Sequence, residues 1–125
     1  VEFKTGMGLK SNIPLRSLEK LFTELWDELG QQYMDPVDVA IQPPGGSTDF
    51  CDISHVVPGI HPMIGITQEE MPMHSVQFAD CTMTEKGDEG LKTAIKTMAI
   101  AAVKLINEPD LLKEIKAEFE EKRLK

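Results

Sequence analysis

The sequence predicts an α/β fold, in which helices cover a mixed, mostly parallel sheet. Three observations support this prediction: an amphipathic helical pattern before Gly30, two short apolar runs at residues 50–57 and 63–66, and two helical patterns toward the end of the chain. With 125 residues, 41% of them hydrophobic, the chain is long enough to bury one core. We therefore expect residues 1–125 to form a single α/β domain.

The first half begins with a predicted strand at residues 1–9, followed by a helix. Ser11 and Asn12 have side chains suited to capping a helix, and Pro14 fits a first helical turn. Seven apolar residues then recur at helical spacing: Leu15, Leu18, Leu21, Phe22, Leu25, Trp26 and Leu29. Their spacing predicts an amphipathic helix that ends at Gly30.

The second half begins after a long connection that contains the stretch "PPGG" at residues 43–46. Residues 50–57 and 63–66 are short apolar runs bounded by proline and glycine, which predicts strands buried in the sheet. Apolar spacing then predicts a long helix from Leu91 to Ile106 and a second helix that opens near Pro109.

The acidic composition excludes several classes of partner. A net charge of −8 and an isoelectric point near 4.8 argue against binding to nucleic acid or to anionic membrane surfaces. No apolar run approaches the roughly 20 residues that span a bilayer. Cys51 and Cys81 form no CxxC pattern and read as small buried hydrophobes, which indicates a reducing, cytoplasmic setting.

All three histidines lie in one short span, and each candidate there has two interpretations. Asp49 fits either a local loop cap or a residue that borders a site. His55 fits either a hydrogen-bonded core residue or one on the solvated face of a strand. His61 fits a surface turn, and His74 follows the second predicted strand at a strand-to-loop edge.

Spacing alone does not define a catalytic set. The chain has no HExxH, GxSxG, Walker or GxGxxG pattern. A catalytic zinc ion needs about three protein ligands, and no motif in the chain supplies them.

The order of several motifs resembles a known family. These are "PPGGSTDFCDISHVVPGIHPMIGI", then "HSVQFAD", then "PDLLKEIKAEFEE", preceded by "SNIPLRSLEKLF". Together they resemble the closing portion of the zinc-dependent aminoacylase and carboxypeptidase superfamily, in the amidohydrolase branch that includes aminobenzoyl-glutamate hydrolase and related dipeptide hydrolases. The resemblance implies the C-terminal part of a three-layer α/β/α catalytic domain, whose N-terminal part and lid are absent here.

The same resemblance implies a site. His74 would be the one zinc ligand that this segment contributes, and Gly46, Ser47, Thr48 and Asp49 would form a loop that borders the substrate cleft. The complete site is expected to hold two zinc ions and to hydrolyse amide bonds of small N-acyl amino acids or dipeptides.

The family's other metal ligands and its catalytic glutamate have no counterparts in this sequence. We therefore expect the isolated chain to bind zinc weakly and to be inactive without the missing N-terminal part. The alternative is a non-catalytic α/β scaffold or binding domain that assembles with itself through exposed sheet edges.

Overall fold

The computed structural model describes residues 8–34 and 48–124, and within these ranges the chain is helical. Five helices are found there: α1 (Arg16–Glu28), α2 (Phe50–Ile53), α3 (Val76–Cys81), α4 (Glu85–Asn107) and α5 (Pro109–Arg123). The described ranges contain no strand and no sheet, so the predicted α/β fold with a mixed sheet is wrong. The predicted opening strand lies outside the described residues up to position 7.

The predicted strand at residues 50–57 is instead the short helix α2 followed by turns. Its polar side chains bind the backbone of the segment that precedes α1. The Lys10 amide donates to Asp52 Oδ1 at 3.2 Å, and the Ile13 amide donates to Ser54 Oγ at 3.1 Å. Side-chain oxygens thus accept hydrogen bonds from the backbone amides that would pair with a neighbouring strand in a sheet.

The second predicted strand, residues 63–66, is neither a strand nor a helix and has no partner strand within the described part of the chain. It lies against α4 instead. A Cβ atom added to Gly90 would be 3.1 Å from Ile66 Cγ2 and 3.2 Å from the Gly65 carbonyl oxygen. A segment becomes part of a sheet only when a neighbouring strand pairs with its backbone, and here the neighbour is a helix.

The chain divides into two compact units. In its described part, the first unit comprises residues 8–34, 48–61 and 108–124, and the second comprises Pro62–Asn107. In the first unit α1 contacts α5. Eight apolar side chains are buried there: Ile13, Leu15, Leu18, Leu21, Phe22, Leu25, Ile115 and Phe119.

Helix α1 begins later than predicted and ends as predicted. Its N-cap position is Leu15, so Ser11 and Asn12 do not cap it. At the other end Gly30 has φ of 65°, its amide donates to the Asp27 carbonyl, and the next amide donates to the Trp26 carbonyl. These two bonds form a Schellman motif, in which glycine adopts the left-handed conformation at low cost.

Helix α4 dominates the second unit and extends beyond its predicted start. The Gly87 amide donates to Thr84 Oγ1 at 3.1 Å, which satisfies a free donor of the first turn. The buried residues of α4 are small: Gly87, Gly90, Thr97 and Ala101. Helix α5 opens at Pro109, as the sequence predicted. Among the described helices, none is both long and apolar enough to cross a membrane.

Candidate functional site

His74 lies immediately before helix α3, in the second unit. The next residue, Ser75, is the N-cap: its Oγ accepts from the Phe78 amide at 3.1 Å and donates to the Pro72 carbonyl at 2.7 Å. These two bonds fix the turn that precedes α3. The His74 side chain is exposed and makes no hydrogen bond to another described residue. Its imidazole is therefore accessible to a ligand.

The predicted cleft loop is described only at Thr48 and Asp49, since Gly46 and Ser47 lie outside the described residues. Thr48 Oγ1 accepts from the Phe50 amide at 3.3 Å, so Thr48 supports the start of α2. Asp49 is exposed and its side chain makes no capping bond. The local capping bond predicted for Asp49 is therefore made by its neighbour Thr48 instead.

Thr48 and Asp49 are neighbours in one turn of the first unit, whereas His74 belongs to the second unit. The side chains of Asp49 and His74 are exposed, and that of Thr48 is half-buried. The assignment of His74 as a metal ligand and of the loop as a cleft border remains a prediction from the family resemblance.

The other two histidines have structural roles. His55 is half-buried, and its Nε2 donates to the Ser11 carbonyl oxygen at 2.8 Å. The exposed ring of His61 stacks on Phe50, with 5.2 Å between the ring centroids and 27° between the planes. Each ring is thus held by a protein partner in the first unit.

Both cysteines are free and half-buried. Cys81 Sγ lies 3.7 Å from Met71 Sδ, at the wall of an open groove of about 540 Å³ in the second unit. Three carboxylates also line this groove, from Glu69, Glu85 and Glu89. The sequence pattern did not indicate the groove, because its walls come from a loop and from the first turns of a helix.

The described residues do not fit a catalytic zinc ion. Within residues 8–34 and 48–124, no group of three or more histidine, cysteine, aspartate or glutamate side chains is arranged to hold a metal. A catalytic zinc takes about three protein ligands, and a single imidazole is too few. The described residues therefore do not form a zinc site by themselves.

The carboxylate of Glu118 on α5, which the sequence analysis did not identify, accepts hydrogen bonds from another helix. Glu118 Oε1 accepts from the Arg16 amide at 2.8 Å, and Oε2 accepts from the Ser17 amide at 2.9 Å and the Ser17 hydroxyl at 2.5 Å. Lys122 Nζ lies 2.8 Å from Oε1. Glu118 thus caps the N-terminus of α1 from another helix, where the helix dipole favours a negative charge.

Burial of Glu118 acts to raise its pKa, but the hydrogen bonds from Lys122, Ser17 and Arg16 outweigh that effect and lower the pKa to about 2. The carboxylate is therefore ionised at neutral pH and fully committed to these donors. Its role is structural, and the local sequence could not reveal the cap because the capped residues of α1 are about 100 residues away.

Comparison with curated proteins supports the peptidase superfamily for this chain. Over 120 residues, or 95% of the chain, it is 32% identical to the "Xaa-Arg dipeptidase" of Homo sapiens. It is also 32% identical over 107 residues to the "Xaa-Arg dipeptidase" of Mus musculus. These relatives do not support the aminobenzoyl-glutamate branch that the sequence motifs suggested.

The chain spans about a quarter of the length of these relatives, 27% of the human protein and 24% of the mouse protein. It matches no protein-family profile, and no solved structure matches it. The sequence similarity to dipeptidases is therefore the comparison on which a functional assignment rests.

Proposed function

We propose that this chain is the C-terminal portion of the catalytic part of a metal-dependent peptidase that hydrolyses dipeptides or small N-acyl amino acids. The observation that carries the proposal is the 32% identity to a protein named Xaa-Arg dipeptidase over 95% of the chain. Dipeptides with a C-terminal arginine are accordingly the first substrates to test.

In this proposal His74 donates one imidazole to a zinc site, and Gly46, Ser47, Thr48 and Asp49 border the cleft. Exposure of the His74 ring next to the Ser75 cap supports this role, because a ligand must be accessible and its backbone must be held in place. The remaining ligands and the catalytic base come from the rest of the polypeptide. Two free cysteines favour a reducing, cytoplasmic setting for the whole protein.

The test is His74→Ala in the complete polypeptide, with His61→Ala as the control because His61 is also an exposed histidine. We expect the His74 variant to lose bound zinc and to hydrolyse an Xaa-Arg dipeptide at least about 100-fold more slowly, since loss of a ligand costs more than loss of an outer-shell partner. Metal content is measured by mass spectrometry and hydrolysis by release of free arginine.

The His61 variant should retain both metal and activity, because its ring contacts Phe50. Unchanged zinc content and unchanged hydrolysis in the His74 variant would reject the assignment of this residue.

A non-catalytic binding domain is the second candidate function. The specific observation that favours it is a row of exposed aliphatic side chains on α4, among them Leu91, Ile95 and Met98. A complete polypeptide that folds, takes up no zinc and cleaves no dipeptide would favour this candidate over the peptidase.

A further inference from the structure

The groove of the second unit combines apolar side chains with carboxylates. We define the acidic groove by three apolar side chains, Ile66, Met71 and Cys81, and three carboxylates, Glu69, Glu85 and Glu89. The apolar side chains are half-buried, and the carboxylates are exposed. Its volume of about 540 Å³ lies in the range of pockets that hold small molecules. A ligand in this groove would contact both an apolar surface and negative charge.

The acidic groove has an excess of negative charge. Lys86 also lines it, and Lys86 Nζ lies 3.2 Å from Glu89 Oε2, so these two charges offset each other. In the described part of the chain, no basic side chain forms an ion pair with Glu69 or Glu85. Two carboxylates of the groove are therefore available to a cationic ligand.

These carboxylates suit an organic cation better than a metal ion. Within residues 8–34 and 48–124, no three acidic, histidine or cysteine side chains are arranged to hold a metal. A guanidinium group is wider than a metal ion, and its five N–H donors can bind oxygens on several sides. The methylene groups of an arginine side chain pack well on apolar surface. An arginine side chain therefore matches both parts of the groove.

The acidic groove lies close to His74. Met71 precedes His74 in the sequence and Cys81 follows it, and the sulfur atoms of these two groove residues are 3.7 Å apart. The segment between them is thus closed into a loop that carries His74. Three residues of chain span at most roughly 11 Å, which limits the distance from Met71 to His74. Two residues of a ligand and one long side chain can bridge this distance.

We propose that the acidic groove binds the arginine side chain of the dipeptide substrate. Glu69 and Glu85 contact the guanidinium group. Ile66 and Met71 contact the methylene groups. Glu69 and Glu85 thus determine specificity and take no part in breaking the amide bond. This inference rests on the proposed function in one respect, that the substrate is a dipeptide with a C-terminal arginine.

Dipeptides of arginine and of citrulline separate the effect of charge from that of shape. Citrulline has the length and branching of arginine but is uncharged. In the complete polypeptide we expect a higher kcat/KM for the arginine dipeptide than for the matched citrulline dipeptide. The ratio of the two values should fall at least about fivefold in the double variant Glu69→Gln, Glu85→Gln, since each exposed charge pair contributes modestly.

Glu70→Gln is the matched control for this ratio. Glu70 is exposed and adjacent to Glu69, but it does not line the groove. Its substitution removes the same charge from the same loop and should leave the ratio unchanged. Release of the free amino acid measures hydrolysis of both dipeptides.

Alkylation of Cys81 measures occupancy of the groove without catalysis. Iodoacetamide modifies accessible thiols, and mass spectrometry quantifies the product at each cysteine. Arginine in the groove would cover Cys81, so free arginine should slow its alkylation in the complete polypeptide. Citrulline at the same concentration and ionic strength should not. Cys51 is the internal control, because it is also half-buried but belongs to the first unit.

Two results would overturn the proposal. The double variant could lose activity equally on both dipeptides, or arginine could leave the alkylation of Cys81 unchanged. Equal kcat/KM values of the wild type for the two dipeptides would retain a peptidase and reject the groove as its arginine site. Protection of Cys81 by arginine in a polypeptide that hydrolyses no dipeptide would reject the proposed function and retain the groove.

Discussion

At the scale of single residues, Ser54 connects two segments that are about 40 positions apart. Its side chain is 2% exposed. Its Oγ accepts from the Ile13 amide at 3.1 Å and donates to the Cys51 carbonyl at 2.6 Å. One hydroxyl thus satisfies a backbone donor and a backbone acceptor where water has little access.

We expect Ser54→Ala to lower the free energy of unfolding by about 1–3 kcal/mol, because it leaves the Ile13 amide without its partner. Urea denaturation followed by circular dichroism measures this change. Ser11→Ala is the matched control: its side chain is exposed, its carbonyl receives the His55 bond, and a change within about 0.5 kcal/mol is expected. Equal effects of the two substitutions would show that the Ser54 hydroxyl is not a structural link.

Glu118 provides a pH-dependent prediction. We expect Glu118→Gln to destabilise the chain by about 1–2 kcal/mol at neutral pH, because an amide nitrogen cannot accept from Lys122 or from the first amides of α1. The carboxylate is still 19% exposed, and solvent screening keeps the effect below the full value implied by its shifted pKa.

The pKa of Glu118 is lower in the folded chain than its usual 4.5. Its stabilisation is therefore complete above about pH 4.5 and is lost as the pH falls toward 2. The difference in unfolding free energy between wild type and Glu118→Gln should shrink across this interval. Glu120→Gln is the control, because Glu120 pairs only with the exposed Arg123. A difference that stays constant from pH 7 to pH 2 would contradict the ionised cap.

At the scale of elements, the end of α1 depends on the conformation of one glycine. Nothing lies within 4 Å of a Cβ atom added at Gly30, so only its φ of 65° opposes a side chain. We expect Gly30→Ala to reduce the unfolding free energy by about 1 kcal/mol. Gly8→Ala also adds its methyl group to open space, but without a positive φ, and should be nearly neutral. Thermal melts of both variants and the wild type measure this difference.

A helix could be predicted where its buried apolar residues recur at helical spacing in the sequence. Leu18, Leu21, Phe22 and Leu25 are buried on α1, and their spacing in the sequence already defined that face. The end at Gly30 and the start at Pro109 were predictable because glycine and proline impose their own backbone conformations.

The prediction of strands at residues 50–57 and 63–66 was wrong because a short apolar run does not specify which segment will pair with it. The run at residues 50–57 is compatible with a buried strand, but its aspartate, serine and histidine side chains bind the backbone of residues 10–13 instead. The start of α1 was missed for a similar reason. Its cap, Glu118, comes from a helix far along the chain, and no local pattern records such a contact.

At the scale of the whole molecule, the comparisons support the predicted relationship to a peptidase superfamily, whereas the predicted site residues stay a prediction. Ordered motifs over most of the chain pointed to a hydrolase superfamily, and the dipeptidase relatives support the peptidase assignment. Metal ligands are harder to predict from sequence than family membership, because the ligands of one ion come from distant segments of the chain. A motif can suggest His74 as a ligand, but it does not identify the other ligands of the ion.

The metal chemistry of the isolated chain follows from the number of ligands. The described residues contain no group of three metal-binding side chains. In the proposed site, His74 would supply a single imidazole. A lone imidazole leaves most of the coordination sphere to water, and a structural or catalytic zinc needs three or four protein ligands. We therefore expect calorimetric titration of the isolated chain to show no tight one-to-one uptake of zinc, and His74→Ala to change the titration only slightly. Tight stoichiometric binding that disappears in the His74 variant would show that the chain completes a metal site by itself.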